Sequence, residues 1–375
     1  MSGPHVLLTG ANGFVASHIL SILVDRKFSI TATVRSQEKA DDIIRTHPEW
    51  KGKIVFAIVA DFTSTQPFDH LFQNSKIPFH YVIHTASPLK FQVHDIRKEM
   101  IEPAELGTRE IMKSTQHYAG DHLQRFVLLG SAVSVLNSFE DMTREGKPYT
   151  EKDWNPVHSN STHTKPKDHL ADSIQVTAEQ AIERNDPVLG YNVSKTRAET
   201  AAWDFMKRNR PSFDLVVINP DIITGPMIHP ISGPSSINET NQFAIGSFID
   251  GTHKSLDGVT FPFYHFVDVR DVARSHVDAL TNKAASNQRI LLIAGLISPQ
   301  LVVNAIRKHF PDLRMRVPEG IPSQILPPGV HPTGWDMRLS VDILAKGAEE
   351  GKWEYRNLED SVVGAVGTML EHGVI

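Results

Sequence analysis

The feature that most constrains the fold is a junction near the start of the chain, HVLLTGANGFVASHIL. An apolar run, His5 to Leu8, meets a glycine-rich turn and passes into an amphipathic segment. That order reads as strand, turn, helix, and it recurs. Short apolar runs at 5–9, 29–34, 53–59, 80–84 and 126–130 are expected strands. Segments of helical period lie between them at 15–25, 38–46 and 101–116. A further helix at 193–209, a strand at 214–218 and a late strand at 289–293 continue the alternation. Largely apolar strands alternating with helices predict an α/β protein with a parallel, doubly wound sheet of the Rossmann type.

The turn itself carries chemistry. Its spacing is G-x-x-G-x-x-A, at Gly10, Gly13 and Ala16, where the usual dinucleotide fingerprint is G-x-G-x-x-G. Gly10 and Gly13 let backbone approach a phosphate. The helix that starts near Gly13 offers unpaired N–H groups and a partial positive charge. Ala16 is small enough for close helix–strand contact. At the end of the second strand the sequence is TATVRSQEKA. Arg35 and Lys39 stand where an NAD site has an acidic residue for the ribose 2′-hydroxyl, and two cations suit a 2′-phosphate. The expected cofactor is therefore NADPH. At the third strand end, Asp61 is placed to accept from an adenine amino group, with Phe62 flanking the ring. Thr85, Ala86 and Ser87 are small residues over which a cofactor would cross the fourth strand.

The catalytic signal is YNVSK, at the opening of the 193–209 helix. Its spacing puts Tyr191 and Lys195 on one helix face. A fixed positive charge beside the phenol should lower its pKa and make Tyr191 a usable general acid. The strand FVLLG ends at Ser131, the expected hydroxyl donor to a substrate oxygen, with Ser134 as the alternative. Val133, Phe91, Ile228 and Phe243 are the expected apolar substrate walls.

These motifs resemble the extended short-chain dehydrogenases/reductases. More narrowly they resemble the NADPH-dependent aldehyde and ketone reductases of fungi, relatives of plant dihydroflavonol and cinnamoyl-CoA reductases. The matching stretches are TGANGFVASHI, VRSQEKA, HTASP, YNVSKTRAETAAWDF, NPDIITGP, FVDVRDVARSHV and, more weakly, WEYRNLEDSV. The resemblance implies a Ser131–Tyr191–Lys195 triad. It implies cofactor contacts at Gly10, Ala11, Asn12, Gly13, Phe14, Val15, Arg35, Lys39, Asp61, Phe62, Pro220 and Ile223, and at a serine after the GP turn, Ser235 or Ser236. It also implies a monomer or homodimer. Two departures stand out. The family's Thr-Ser-Ser becomes Leu129-Gly130-Ser131, and the segment before Tyr191 is longer than expected.

Residues 1–225 and 263–296 are thus expected to form the dinucleotide-binding domain. Within it, 138–188 is a long insertion with one helix near 170–184. Residues 226–262 and 297–375, richer in Gly, Pro and Ser, are expected to form a smaller substrate-binding lobe. The net charge of −5 argues against a nucleic-acid surface spread over the protein, and the absence of Cys excludes disulfides and thiolate catalysis. No apolar run is long enough for a signal peptide or membrane span, so a cytoplasmic location is expected. His158, His163 and His169 lack the pattern of a metal site. Together these features predict reduction of a small carbonyl compound. A nucleotide-sugar epimerase or dehydratase, a steroid-type dehydrogenase and a non-catalytic NADP-sensing regulator are the alternatives. Arg35 argues against the first of these, the lack of an anchor against the second, and the Tyr191/Lys195 pair against the third.

Overall fold

The computed structural model describes residues 3–87, 93–137, 142–143, 146–158 and 182–375. Its first half alternates as expected: β1 (His5–Thr9), α1 (Phe14–Asp25), β2 (Ser29–Val34), α2 (Gln37–Thr46), β3 (Ile54–Ile58), α3 (Asp69–Gln73), β4 (Tyr81–His84), α4 (Glu102–Tyr118) and β5 (Arg125–Leu129). There follow α5 (Pro187–Asn209), β6 (Asp214–Pro220), β7 (Ile222–Thr224), α6 (Glu239–Ala244), β8 (His265–Asp268), α7 (Val269–Ala279), β9 (Gln288–Leu292) and β10 (Gly295–Leu296). The chain continues through α8 (Pro299–His309), α9 (Arg338–Gly347) and α10 (Leu358–Glu371).

Seven strands form one sheet in the order β3-β2-β1-β4-β5-β6-β9. Every neighbouring pair in it is parallel. The period of two along β1 explains the layers. Val6 and Leu8 point to one face, packing with Ile19 of α1, Ile43 of α2 and Val272 of α7. Leu7 points to the other, packing with Leu71 of α3, Ile111 of α4 and Phe205 of α5. Each such fully buried side chain contributes about 1.5–3 kcal/mol. The strand order reverses between β1 and β4. Ligands of open α/β sheets bind in the crevice at the carboxyl ends of the strands there.

A second sheet has three strands, in the order β10-β8-β7. β7 and β8 run parallel, and β8 and β10 antiparallel. This sheet joins a separate apolar core with Ala244 of α6, Ile306 of α8 and Val366 of α10. Residues 265–268 therefore run in the small sheet, within the 263–296 stretch expected to belong to the dinucleotide-binding domain. No described helix is long and apolar enough to cross a membrane.

The helix carrying YNVSK starts at Pro187, six residues earlier than the expected 193. Asp186 caps it by accepting from the N–H groups of Val188 and Leu189, and Pro187 occupies the first helical turn. Both are strong start signals. Tyr191 therefore sits inside the helix, so its direction is set by a formed backbone rather than a fraying end.

Candidate active site

The glycine turn bridges the carboxyl ends of β1 and β4. Gly10 has φ +74°, in the left-handed region that favours glycine. A Cβ there would lie 3.1 Å from Ala86 Cα. Glycine is thus what lets the end of β4 approach the turn. Ala11 N–H donates to Thr33 O at 2.9 Å and Gly13 N–H to Gly10 O at 3.0 Å, which fixes the loop. No side chain caps α1, so its first-turn N–H groups are left for a ligand. Ala16 is buried against the sheet. Thr9 stitches the two strands together: its hydroxyl accepts from the N–H groups of Thr85 and Ala86, both at 3.1 Å, and meets His84 Nδ1 at 2.8 Å. Burial holds the His84 imidazole down to about 3. It is neutral at pH 7 and serves as a structural partner. An uncapped helix start and a glycine cradle suit a pyrophosphate, so the residues present fit a dinucleotide.

Arg35 follows β2 directly and is exposed. Lys39 lies in the first turn of α2, its Nζ 3.3 Å from Asp42 Oδ2. Asp61 Oδ1 accepts from both the N–H (2.8 Å) and the hydroxyl (2.6 Å) of Thr63. Those bonds, with Arg35 nearby, hold its carboxyl below the usual range. Phe62 packs beneath α4, where a Cβ on Gly107 would lie 2.6 Å from its ring. Asp61 and Phe62 thus already have local structural partners that the sequence did not suggest.

A cavity of about 250 Å³ opens beside the turn. It brings together Gly10, Gly13, Phe14, Val15, Thr85 and Ser87 with Ser131, Tyr191, Lys195, Pro220 and Ile223. Val133 and Phe243 also line it. Ala11, Asn12, Arg35, Lys39, Asp61, Phe62 and Ala86 lie outside its lining. So does Ile228, whose carbonyl accepts from His47 Nε2 at 2.6 Å. Phe91 falls outside the described residues, as do His163, His169 and most of the expected 170–184 helix. Ser235 is exposed and is not among the residues lining the cavity. Thr240 lines it, its hydroxyl donating to Ile223 O at 2.5 Å. Asp221, Val188, Asn238, Glu239 and Phe263 are lining residues that the sequence reading missed.

Ser131 ends the β5 loop and is buried, with its hydroxyl hydrogen-bonded to the Tyr191 phenol. Ser134 does not line the cavity, and its hydroxyl has no partner among the described residues. Lys195 Nζ stands 5.8 Å from the centroid of the Tyr191 ring. The electrostatics correct one expectation. Burial pushes the Tyr191 phenol above its ordinary value, the nearby Asp221 charge pushes the same way, and only the Ser131 bond opposes them. Lys195 is itself drawn down by burial, to about 8. Desolvation therefore outweighs the lowering that the Lys195 charge was expected to produce. At pH 7 the site holds a protonated phenol beside a cationic amine, an arrangement that can donate a proton to an oxygen.

Residues 8–273 match the model of an NAD-binding family described as male sterility protein. The NADPH-dependent methylglyoxal reductase of Saccharomyces cerevisiae is 28% identical, with 98% of each chain covered. The ketoreductase azaE of Aspergillus niger is 30% identical over 98% of this chain and 97% of its own. The crystal structure of yeast methylglyoxal/isovaleraldehyde reductase Gre2 complexed with NADPH superposes with a TM-score of 0.83. That match has 26% identity and covers 99% of this chain and 100% of the other.

Proposed function

The chain belongs to the extended short-chain dehydrogenases/reductases, and from that premise we propose that it reduces aldehydes or ketones to alcohols with NADPH. The observation that carries the reading is the meeting of Ser131, Tyr191 and Lys195 in the same cavity as the uncapped start of α1. NADPH, when bound, supplies the hydride. The α1 N–H groups and the Gly10 turn would hold its pyrophosphate, and Arg35 with Lys39 its 2′-phosphate. Ser131 and Tyr191 donate hydrogen bonds to the carbonyl oxygen. As negative charge grows on that oxygen, Tyr191 Oη gives up its proton. The Lys195 ammonium stabilises the phenolate left behind, and solvent returns the proton. Donors aimed at developing charge contribute about 3–4 kcal/mol each.

The lobe built on β7, β8 and α6 supplies the apolar side of the cavity through Phe243 and Phe263, which favours a small, largely apolar carbonyl compound. The same reading makes the protein a cytoplasmic monomer or homodimer. The test is NADPH consumption with a panel of aldehydes and ketones. Wild type should oxidise NADPH with several of them. Tyr191→Phe should lose turnover while binding NADPH as before. Turnover by Tyr191→Phe near the wild-type rate would overturn the assignment.

A further inference from the structure

Tyr191, Lys195 and Glu199 follow one another at four-residue spacing along α5 and so share a helix face. Tyr191 and Lys195 line the cavity. Glu199 lies one turn deeper, with 0% exposure. Its carboxylate is surrounded by donors. Arg289 Nε reaches Oε1 at 2.6 Å and Nη2 reaches Oε2 at 3.2 Å, a two-pronged ion pair. Trp203 Nε1 donates to Oε1 at 3.1 Å, and Asn219 Nδ2 to Oε2 at 3.3 Å. One carboxylate facing one guanidinium adds no net charge beneath Lys195.

Asn219 carries the connection forward. Its side-chain oxygen accepts the Ser131 N–H at 2.8 Å. That oxygen occupies the space a Cβ on Gly130 would need, and the two would collide. The glycine where the family has serine is what allows β6 to reach the Ser131 backbone. Arg289 carries the connection sideways. Its Nη1 donates to Glu151 O at 2.8 Å and to Asp153 O at 2.6 Å, while its guanidinium lies 3.8 Å over the Trp154 ring.

We infer that Glu199 is a positioning residue: through Arg289 and Asn219 it fixes the Ser131 loop against the helix face that carries Tyr191 and Lys195. The ion pair holds the 151–153 backbone in the same unit, so three stretches distant in sequence are locked to one carboxylate. For Ser131 the inference rests on the catalytic role proposed above. A buried pair of this kind is weak evidence for stability. Misplacing a donor by about 1 Å costs about 100-fold in rate.

Two variants test it. Glu199→Gln removes the charge and keeps the shape. Asn219→Ala cuts the link to Ser131 and leaves the ion pair in place, so it guards against a failure of the first variant to fold. Two readouts are taken on each, normalised to sites that bind NADPH. Amide hydrogen exchange at Ser131 should quicken by about tenfold, the effect of losing one hydrogen bond. The kcat should fall by about 100-fold, with KM and the NADPH Kd changed by less than about threefold. Unchanged Ser131 exchange in both variants overturns the inference, and so does an unchanged kcat in an active enzyme. A residue that only stabilises the fold would lower the melting temperature and the fraction of binding sites, yet leave kcat per site intact. If wild type reduces no carbonyl compound, the proposed function falls, and Ser131 exchange still decides whether the brace exists.

Discussion

Lys195 sets a measurable limit on the alkaline side. Its side chain is 8% exposed, and burial takes its ammonium from 10.5 to about 8. At about 1.4 kcal/mol per pH unit, that is about 3 kcal/mol of penalty on the charged form. In the proposed mechanism the ammonium stabilises the Tyr191 phenolate, so activity should follow its protonation. The kcat/KM for NADPH, measured by the initial rate of cofactor oxidation from pH 6 to 10.5, reports the free enzyme. It should be flat at neutral pH and fall tenfold per unit above about pH 8. Tyr191 does not produce this limb, because its phenol is pushed above 10. Lys195→Arg, with a guanidinium that stays charged above pH 12, should carry the limb beyond pH 10 even at a lower rate. Stability should move the opposite way. Below pH 8 both the folded and unfolded chains hold this proton, and the folded one bears the burial cost. Between about 8 and 10.5 only the unfolded chain holds it, so this group's contribution to stability rises with pH by about 3 kcal/mol. A limb at the same pH in Lys195→Arg, or a wild-type profile flat to pH 10, refutes the reasoning.

Arg35→Ala should raise the KM for NADPH about tenfold or more, the effect of one charge-assisted contact, and change that for NADH little; equal effects on both would show that Arg35 does not meet a 2′-phosphate. Gly10→Ala places a methyl at φ +74° and 3.1 Å from Ala86, at a conformational cost of about 1–2 kcal/mol. It should lower the melting temperature and weaken NADPH binding in a fluorescence titration, and unchanged affinity would show that the turn tolerates a side chain without disturbing the cradle.

The large sheet was legible in the sequence because its signals are local. β1 and β4 are short, largely apolar runs, β2 alternates Ser and Thr with Ile, Ala and Val, and glycine marks the turn after β1. Tyr191 and Lys195 were legible because helical spacing alone places them together. The small sheet was not. β7 and β10 have three and two residues, too few for a period to emerge. The true start of α5 was written in Asp186-Pro187 but lay inside the long polar segment, away from the apolar periodicity used to find the helix. That Thr240 lines the cavity was not legible, because distance along the chain after Pro226 does not reveal which residues turn inward. The Glu199–Arg289–Asn219 cluster joins partners from α5, β6 and β9, and only topology brings them together. The direction of the Tyr191 shift depends on desolvation, a property of the packed site that no motif encodes.

Only Asp221 separates the last residue of β6 from the first of β7. At the other end of the lobe segment, β8 returns alongside β7, with Ile222 paired to Phe266 and Thr224 to Asp268. Because β7 and β8 run parallel, the stretch between them leaves at the end of β7 and re-enters at the start of β8, a crossover from one end of the small sheet to the other. For protein engineering this makes residues 225–264 a crossover that must span the small sheet, tied to the large domain where His18 meets Pro226 O and His47 meets Ile228 O. Its two cavity-facing aromatic side chains, Phe243 and Phe263, stand on a stretch of chain separate from the elements that carry Ser131, Tyr191 and Lys195. Retargeting toward a bulkier carbonyl compound is then a matter of trimming Phe243 or Phe263 within the crossover, with the elements that hold Ser131, Tyr191 and Lys195 left as they stand.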